Sequence, residues 1–135
     1  MDLWLSRVDQ EKKNNMNILG VDYGTKRIGL AWVQSGLDVV LPFGVVRNLD
    51  ELVQTIKKEK IDKVVFGLPL DLETMEENFN TRRIRKFADE VKKATNLEIE
   101  FADERLTTAE AMQMGGEATL DEKAAMLILQ TYLEE

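Results

Sequence analysis

The sequence predicts an α/β fold on a mixed five-stranded sheet, with three antiparallel strands followed by parallel crossovers and helices on the flanks. Two observations predict it. From residue 17 onward, apolar runs of strand length are interleaved with stretches of helical period. The first three runs are joined only by Gly24-Thr25-Lys26 and Ser35-Gly36, as hairpins are, whereas helical stretches separate the later runs, as in parallel crossovers.

Each element has its own signal. Residues 1–15 mix Asp2, Arg7, Asp9, Glu11, Lys12 and Lys13 and end in Lys-Lys-Asn-Asn just before Met16. They read as an appendage to a domain over 16–135, either an overlong start or a loosely docked amphipathic extension using Leu3, Trp4, Leu5 and Val8. Residues 17–23 make the first strand and 27–34 the second. The third spans 37–46, where Pro42 and Gly44 indicate an edge or bulge. Leu49, Leu52, Val53 and Ile56 recur at helical spacing behind Asn48, a fitting N-cap with Glu51 three residues on. Residues 63–70 form the fourth strand. Over 81–95 a helix buries Ile84, Phe87, Ala88 and Val91. The fifth strand is 98–102, a brief helix over 109–114 breaks at Gly115-Gly116, and 119–133 is the last helix.

At 135 residues, with 44% hydrophobic and 32% charged, the chain suits one domain. Cysteine and histidine are both absent, which removes disulfides, thiolate nucleophiles, Ser-His-Asp triads, His-ligated metals and imidazole acid/base chemistry. Carboxylates, Lys, Arg, hydroxyls, backbone or a metal must supply any chemistry. With no apolar stretch of membrane-spanning or signal-peptide character, a cytoplasmic protein without membrane attachment is expected. The net charge of −7 is unevenly spread. Ten acids between residues 98 and 135 face only Arg105 and Lys123, while Arg82, Arg83, Arg85, Lys86, Lys92 and Lys93 face only Asp89 and Glu90. That basic run is either a solvated helix face or a nucleic-acid surface.

In this topology strands one, four and five are parallel and adjacent, so their carboxyl ends converge on the rim where open α/β sheets bind ligands. Strand one ends in Asp22, on the face of Ile18 and Gly20; an Asx turn is the plain alternative. Strand five ends in Asp103-Glu104-Arg105, whose two acids point to opposite faces, so only one can enter the cleft; pairing with Arg105 is the alternative. Asp121 sits in a Thr119-Leu120-Asp121-Glu122 capping pattern. Yet at about 100° per residue Ala125, Ile128 and Tyr132 fall within about 40° of it, placing it on the packed face. Three carboxylates without histidine describe an oxygen-only site suited to Mg²⁺ or Mn²⁺, a pair of which serves phosphodiester hydrolysis. Lys26 and Arg27 could then hold substrate phosphate while the basic helix follows more distant backbone.

Residues 18–31, Ile-Leu-Gly-Val-Asp-Tyr-Gly-Thr-Lys-Arg-Ile-Gly-Leu-Ala, resemble the opening signature of the YqgF family, RNase H-like proteins described as Holliday-junction resolvases and as pre-16S rRNA processing nucleases. Val65-Phe66-Gly67-Leu68-Pro69-Leu70, residues 103–111 and residues 120–134 agree in order. The resemblance implies an RNase H-like fold and a metal-dependent nuclease with catalytic acids Asp22, Glu104 and Asp121, Asp103 being the alternate metal ligand. The phosphate-holding set is Lys26, Arg27, Arg82, Arg83, Arg85, Lys86 and Arg105. Structured RNA or a DNA junction is the expected partner, with a ribosome precursor for rRNA maturation and a dimer if the role is junction resolution.

Two segments depart from the family pattern. Asp71-Leu72-Glu73-Thr74 replaces an Asn-hydrophobic-Asp-Gly loop, and residues 114–119 lack the lysines usual before the last acid. Asp22-Tyr23-Gly24-Thr25 also resembles the first phosphate loop of actin-like ATPases, a reading that needs two such domains. A noncatalytic RNA- or ribosome-binding module is the other alternative.

Overall fold

The structure, a computed structural model, describes residues 16–37, 39–69, 78–103 and 113–134. Its elements run β1 (Asn17–Tyr23), β2 (Ile28–Gln34), β3 (Leu41–Val46), α1 (Leu49–Lys58), β4 (Lys63–Leu68), α2 (Phe79–Thr95), β5 (Glu98–Asp103) and α3 (Leu120–Glu134). The short helix expected over 109–114 falls largely outside the described residues.

One sheet of order β3-β2-β1-β4-β5 carries the fold. β1–β2 and β2–β3 are antiparallel, while β1–β4 and β4–β5 are parallel, as the sequence implies. The third strand is shorter than expected. Leu37, Val39 and Val40 carry the same apolar character but lie outside the ladder, and the register shifts at Leu30/Ala31 opposite Pro42 and Gly44. Leu37 and Val39 are left exposed.

Strand alternation sends apolar side chains to both faces. Leu19, Val21, Leu30, Val64 and Phe66 meet α1 and α2 in the larger core, which includes Leu52, Ile56, Ile84, Phe87 and Val91. Ile18, Ala31, Val33, Val65 and Ala102 meet α3 through Ala125, Ile128 and Leu129. Gly20 makes the second contact possible, since a Cβ there would stand 2.5 Å from Leu129 Cγ and 3.0 Å from the Ala125 carbonyl oxygen.

Helix ends are chemically specified. Asn78 and Thr81 form a reciprocal capping box that starts α2 at Phe79, two residues before the expected boundary. The buried Thr81 hydroxyl also donates to the Asn78 carbonyl at 2.8 Å. Tyr23 stacks on Phe87 with centroids 4.4 Å apart, which fixes α2 against the end of β1. At the opposite end of the strands, Lys63 donates to the Tyr132 hydroxyl at 3.2 Å and pairs with Glu100 at 3.3 Å, while that hydroxyl donates to Glu100. Burial opposes the charge on Lys63, but the bonds to Tyr132 and Glu100 outweigh it and raise its pKa; the Tyr132 bond leads in lowering that of Glu100. This cluster pins the last turns of α3 far from the carboxyl rim.

Candidate active site at the carboxyl rim

Asp22 is the penultimate residue of β1 and shares the α3 face with Ile18 and Gly20. Its partner across the β1–β2 ladder is Gly29. A Cβ built on Gly29 would overlap the backbone carbonyl of Asp121 and lie 2.9 Å from the Asp121 Cβ. Directly opposed strand residues carry their Cβ atoms about 5 Å apart on one face. Asp121 therefore occupies the space that a side chain at Gly29 would fill, immediately beside Asp22. The first and last acids of the expected trio are together, and a glycine brings them there.

Capping does not account for Asp121. The box that starts α3 joins Thr119 and Glu122: the Glu122 N–H donates to Thr119 Oγ1 at 3.1 Å and the Thr119 N–H to Glu122 Oε1 at 3.0 Å. Glu122 Oε2 also accepts the Gly44 N–H at 2.7 Å, tying α3 to β3. Burial works against the Glu122 charge, but these donors hold its pKa below the usual carboxylate range. Asp121 instead points to the rim, where its Oδ2 lies 3.2 Å from Arg27 Nε.

Beside Asp22 opens a cavity of about 270 Å³ lined by Tyr23, Gly24, Thr25, Pro69, Asn80, Arg83 and Ile84. Asp121 does not line it, so Asp22 stands between Asp121 on one side and the Arg83 cavity on the other. The amino-terminal turn of α2 faces this space, and helix N-termini favour anions. Arg83 is also stacked on Phe79, its Cζ 4.9 Å from the ring centroid. Arg82 and Lys86 are exposed along α2. Arg85 lies instead over Phe101 of β5, 4.7 Å from the centroid, on the flank of the helix away from the cavity. Lys26 is exposed in the β1–β2 turn.

Asp103 is not brought to Asp22. It extends β5 by one residue beyond the expected end and pairs with Leu68, on the α1/α2 face with Phe101 and Ile99, whereas Ala102 faces α3. Glu104 and Arg105 lie outside the described residues, as does the loop at 71–74. Residues 113–119 contain no basic side chain, and Lys123, the first lysine after them, donates to the Met114 carbonyl at 2.9 Å. Sequence reasoning missed Gly29 and Asn80. A glycine inside a strand signals close approach by another backbone, which could have revealed Gly29; Asn80 gives no comparable signal.

Among the described residues, no group of three or more acids that could hold a metal ion occurs. Asp22 and Asp121 supply two carboxylates on one face, and their oxygen donors match the preference of hard divalent cations. None of the described helices is long and apolar enough to cross a membrane.

Known proteins resemble this chain over most of its length. The chain is 35% identical over 133 residues to a protein of Maridesulfovibrio salexigens, covering 87% of this chain and 98% of that one. It is 36% identical over 135 residues to one of Shewanella denitrificans, covering 89% and 95%. Both carry the name "Putative pre-16S rRNA nuclease". Among solved structures, Thermus thermophilus RuvC superposes with a TM-score of 0.59 at 10% identity, covering 88% of this chain and 96% of that one. RuvC from T. thermophilus in complex with a Holliday junction substrate gives 0.57 at 12%, covering 88% and 95%. The fold is thus RNase H-like. The family model described as "RuvX: Holliday junction resolvase" matches residues 16–135, and the chain belongs to that family.

Proposed function

We propose that this protein is a divalent-metal-dependent nuclease of the cytoplasm that hydrolyses phosphodiester bonds at the 5′ end of pre-16S rRNA. The observation that carries the reading is the seating of Asp121 on Gly29 beside Asp22, at a rim that also carries Arg83. The names of the relatives support rRNA as substrate. Asp22, Glu104 and Asp121 are the proposed ligands of a pair of Mg²⁺ or Mn²⁺ ions. Glu104 is preferred to Asp103 because the family resemblance implies it and Asp103 lies on the opposite face of the sheet from Ala102.

When bound, Mg²⁺ or Mn²⁺ supplies charge stabilisation at the phosphate and an activated water. The chain's own groups do the rest. Asp22 and Asp121 would hold the cations through their carboxylate oxygens at the rim between the β1–β2 hairpin and α3. Arg83 and Lys26 bind the flanking phosphates, and Arg82 and Lys86 bind backbone farther along α2. Arg85, held over Phe101, contributes charge at the margin.

The test has two parts. Mn²⁺ should raise the melting temperature of the wild type, and Asp22→Asn should remove that shift while keeping the apo melting temperature. A pre-16S 5′ fragment should be cut by the wild type only. RNA binding without cleavage at saturating Mn²⁺ would leave a noncatalytic module.

The family's description favours a second reading, junction resolution, which needs two sites on paired strands and therefore a dimer. Solution mass and a four-way junction assay separate the two: a monomer that leaves junctions intact removes the resolvase.

A further inference from the structure

Arg27, although largely exposed, contacts one of the proposed metal ligands. Its Nε lies 3.2 Å from Asp121 Oδ2, with the Arg27 side chain 71% exposed and that of Asp121 31% exposed. The base of this side chain is fixed. Arg27 closes the tight turn from Gly24, where an added Cβ would stand 2.5 Å from the Arg27 carbonyl oxygen, and it immediately precedes Ile28, the partner of Tyr23. The guanidinium end is free to swing, because an exposed ion pair is held by little energy. Arginine keeps its charge at every accessible pH and has donors but no acceptor. It can neutralise Asp121 and can bind phosphate, but it cannot share a carboxylate oxygen comfortably with a second cation.

We propose that Arg27 is the resident counter-ion of Asp121: a divalent cation displaces it, and the released guanidinium binds a nucleic-acid phosphate, so cation and phosphate binding are coupled through one side chain. This rests on the nuclease reading of the site. Arg27 opposes the cation and assists the nucleic acid, and linkage makes the coupling reciprocal.

Calorimetric titration of Mn²⁺ into wild type, Arg27→Gln and Arg27→Lys tests the first half. Arg27→Gln should bind Mn²⁺ about fivefold to tenfold more tightly, the effect of removing one charge within several ångströms at the surface; Arg27→Lys should stay near wild type. Anisotropy of a labelled RNA hairpin, with Ca²⁺ as the cation, tests the second. Adding Ca²⁺ should strengthen wild-type binding, and Arg27→Gln should lose that gain. If the wild type binds Mn²⁺ and Arg27→Gln binds it equally or more weakly, the counter-ion role is overturned with the site intact. If Arg27→Gln keeps the full Ca²⁺ gain, the delivery of Arg27 to phosphate is overturned. A wild type that binds no Mn²⁺ overturns the site reading itself.

Discussion

The backbone of Asp121 rests on Gly29, in the space where any other residue would place its side chain. Because Gly29 is the ladder partner of Asp22, this contact sets the separation of the two acids. Gly29→Ala should lift the first turn of α3. The expected result is a loss of about 1–3 kcal/mol, the usual cost of forcing atoms into a packed site, read by urea unfolding. Mn²⁺-induced stabilisation should fall more steeply than that, because the acids separate while the core survives.

Strand five offers a paired comparison. Asp103 lies on the α1/α2 face, so Asp103→Asn should retain the Mn²⁺ shift in melting temperature and most of the cleavage. Glu104→Gln should lose both. The reverse ranking would exchange the two assignments.

Glu122 gives a pH signature. Its folded pKa is depressed by the Thr119 and Gly44 donors against the opposing effect of burial, so its contribution is complete above the ordinary glutamate pKa of about 4.3. That contribution disappears as pH falls through the lower folded value. Glu122→Gln should therefore cost about 1 kcal/mol at pH 7, and wild type and variant should converge as denaturation curves are taken below pH 4.

How far the sequence shows this structure depends on what ends each element. β1 is legible to the residue because an apolar run meets Asn17 at one end and the Gly24 turn at the other. β3 is not, because the apolar residues Leu37 and Val39 precede it while pairing begins only at Leu41. β5 outlasts its apolar pattern because a ladder can carry a charged residue at its end. At the site, the helical geometry around Asp121 separates it from a capping role, and the cap falls to its neighbour Glu122. The pairing of Arg27 with Asp121 and the place of Asn80 in the cavity are set by tertiary packing, which local sequence does not encode.

The basic stripe on α2 predicts a salt dependence. Arg82 and Lys86 are exposed one helical turn apart. Replacing both by Gln should weaken binding of an RNA hairpin at low salt and flatten log Kd against log salt by about 1.5, two phosphate contacts' worth. An unchanged slope would leave α2 as a merely solvated face.

One acid and the seat for another belong to a single hairpin, with Asp22 opposite Gly29. Sliding β2 by one position would set a bulky neighbour, Ile28 or Leu30, under the last helix and bury a methyl-rich face in the wrong layer. The pairing that makes the core fit thus also spaces the two acids, so a mispaired chain would forfeit stability and chemistry in one stroke. Selection for a sound fold would therefore guard the geometry of the proposed site at the same time.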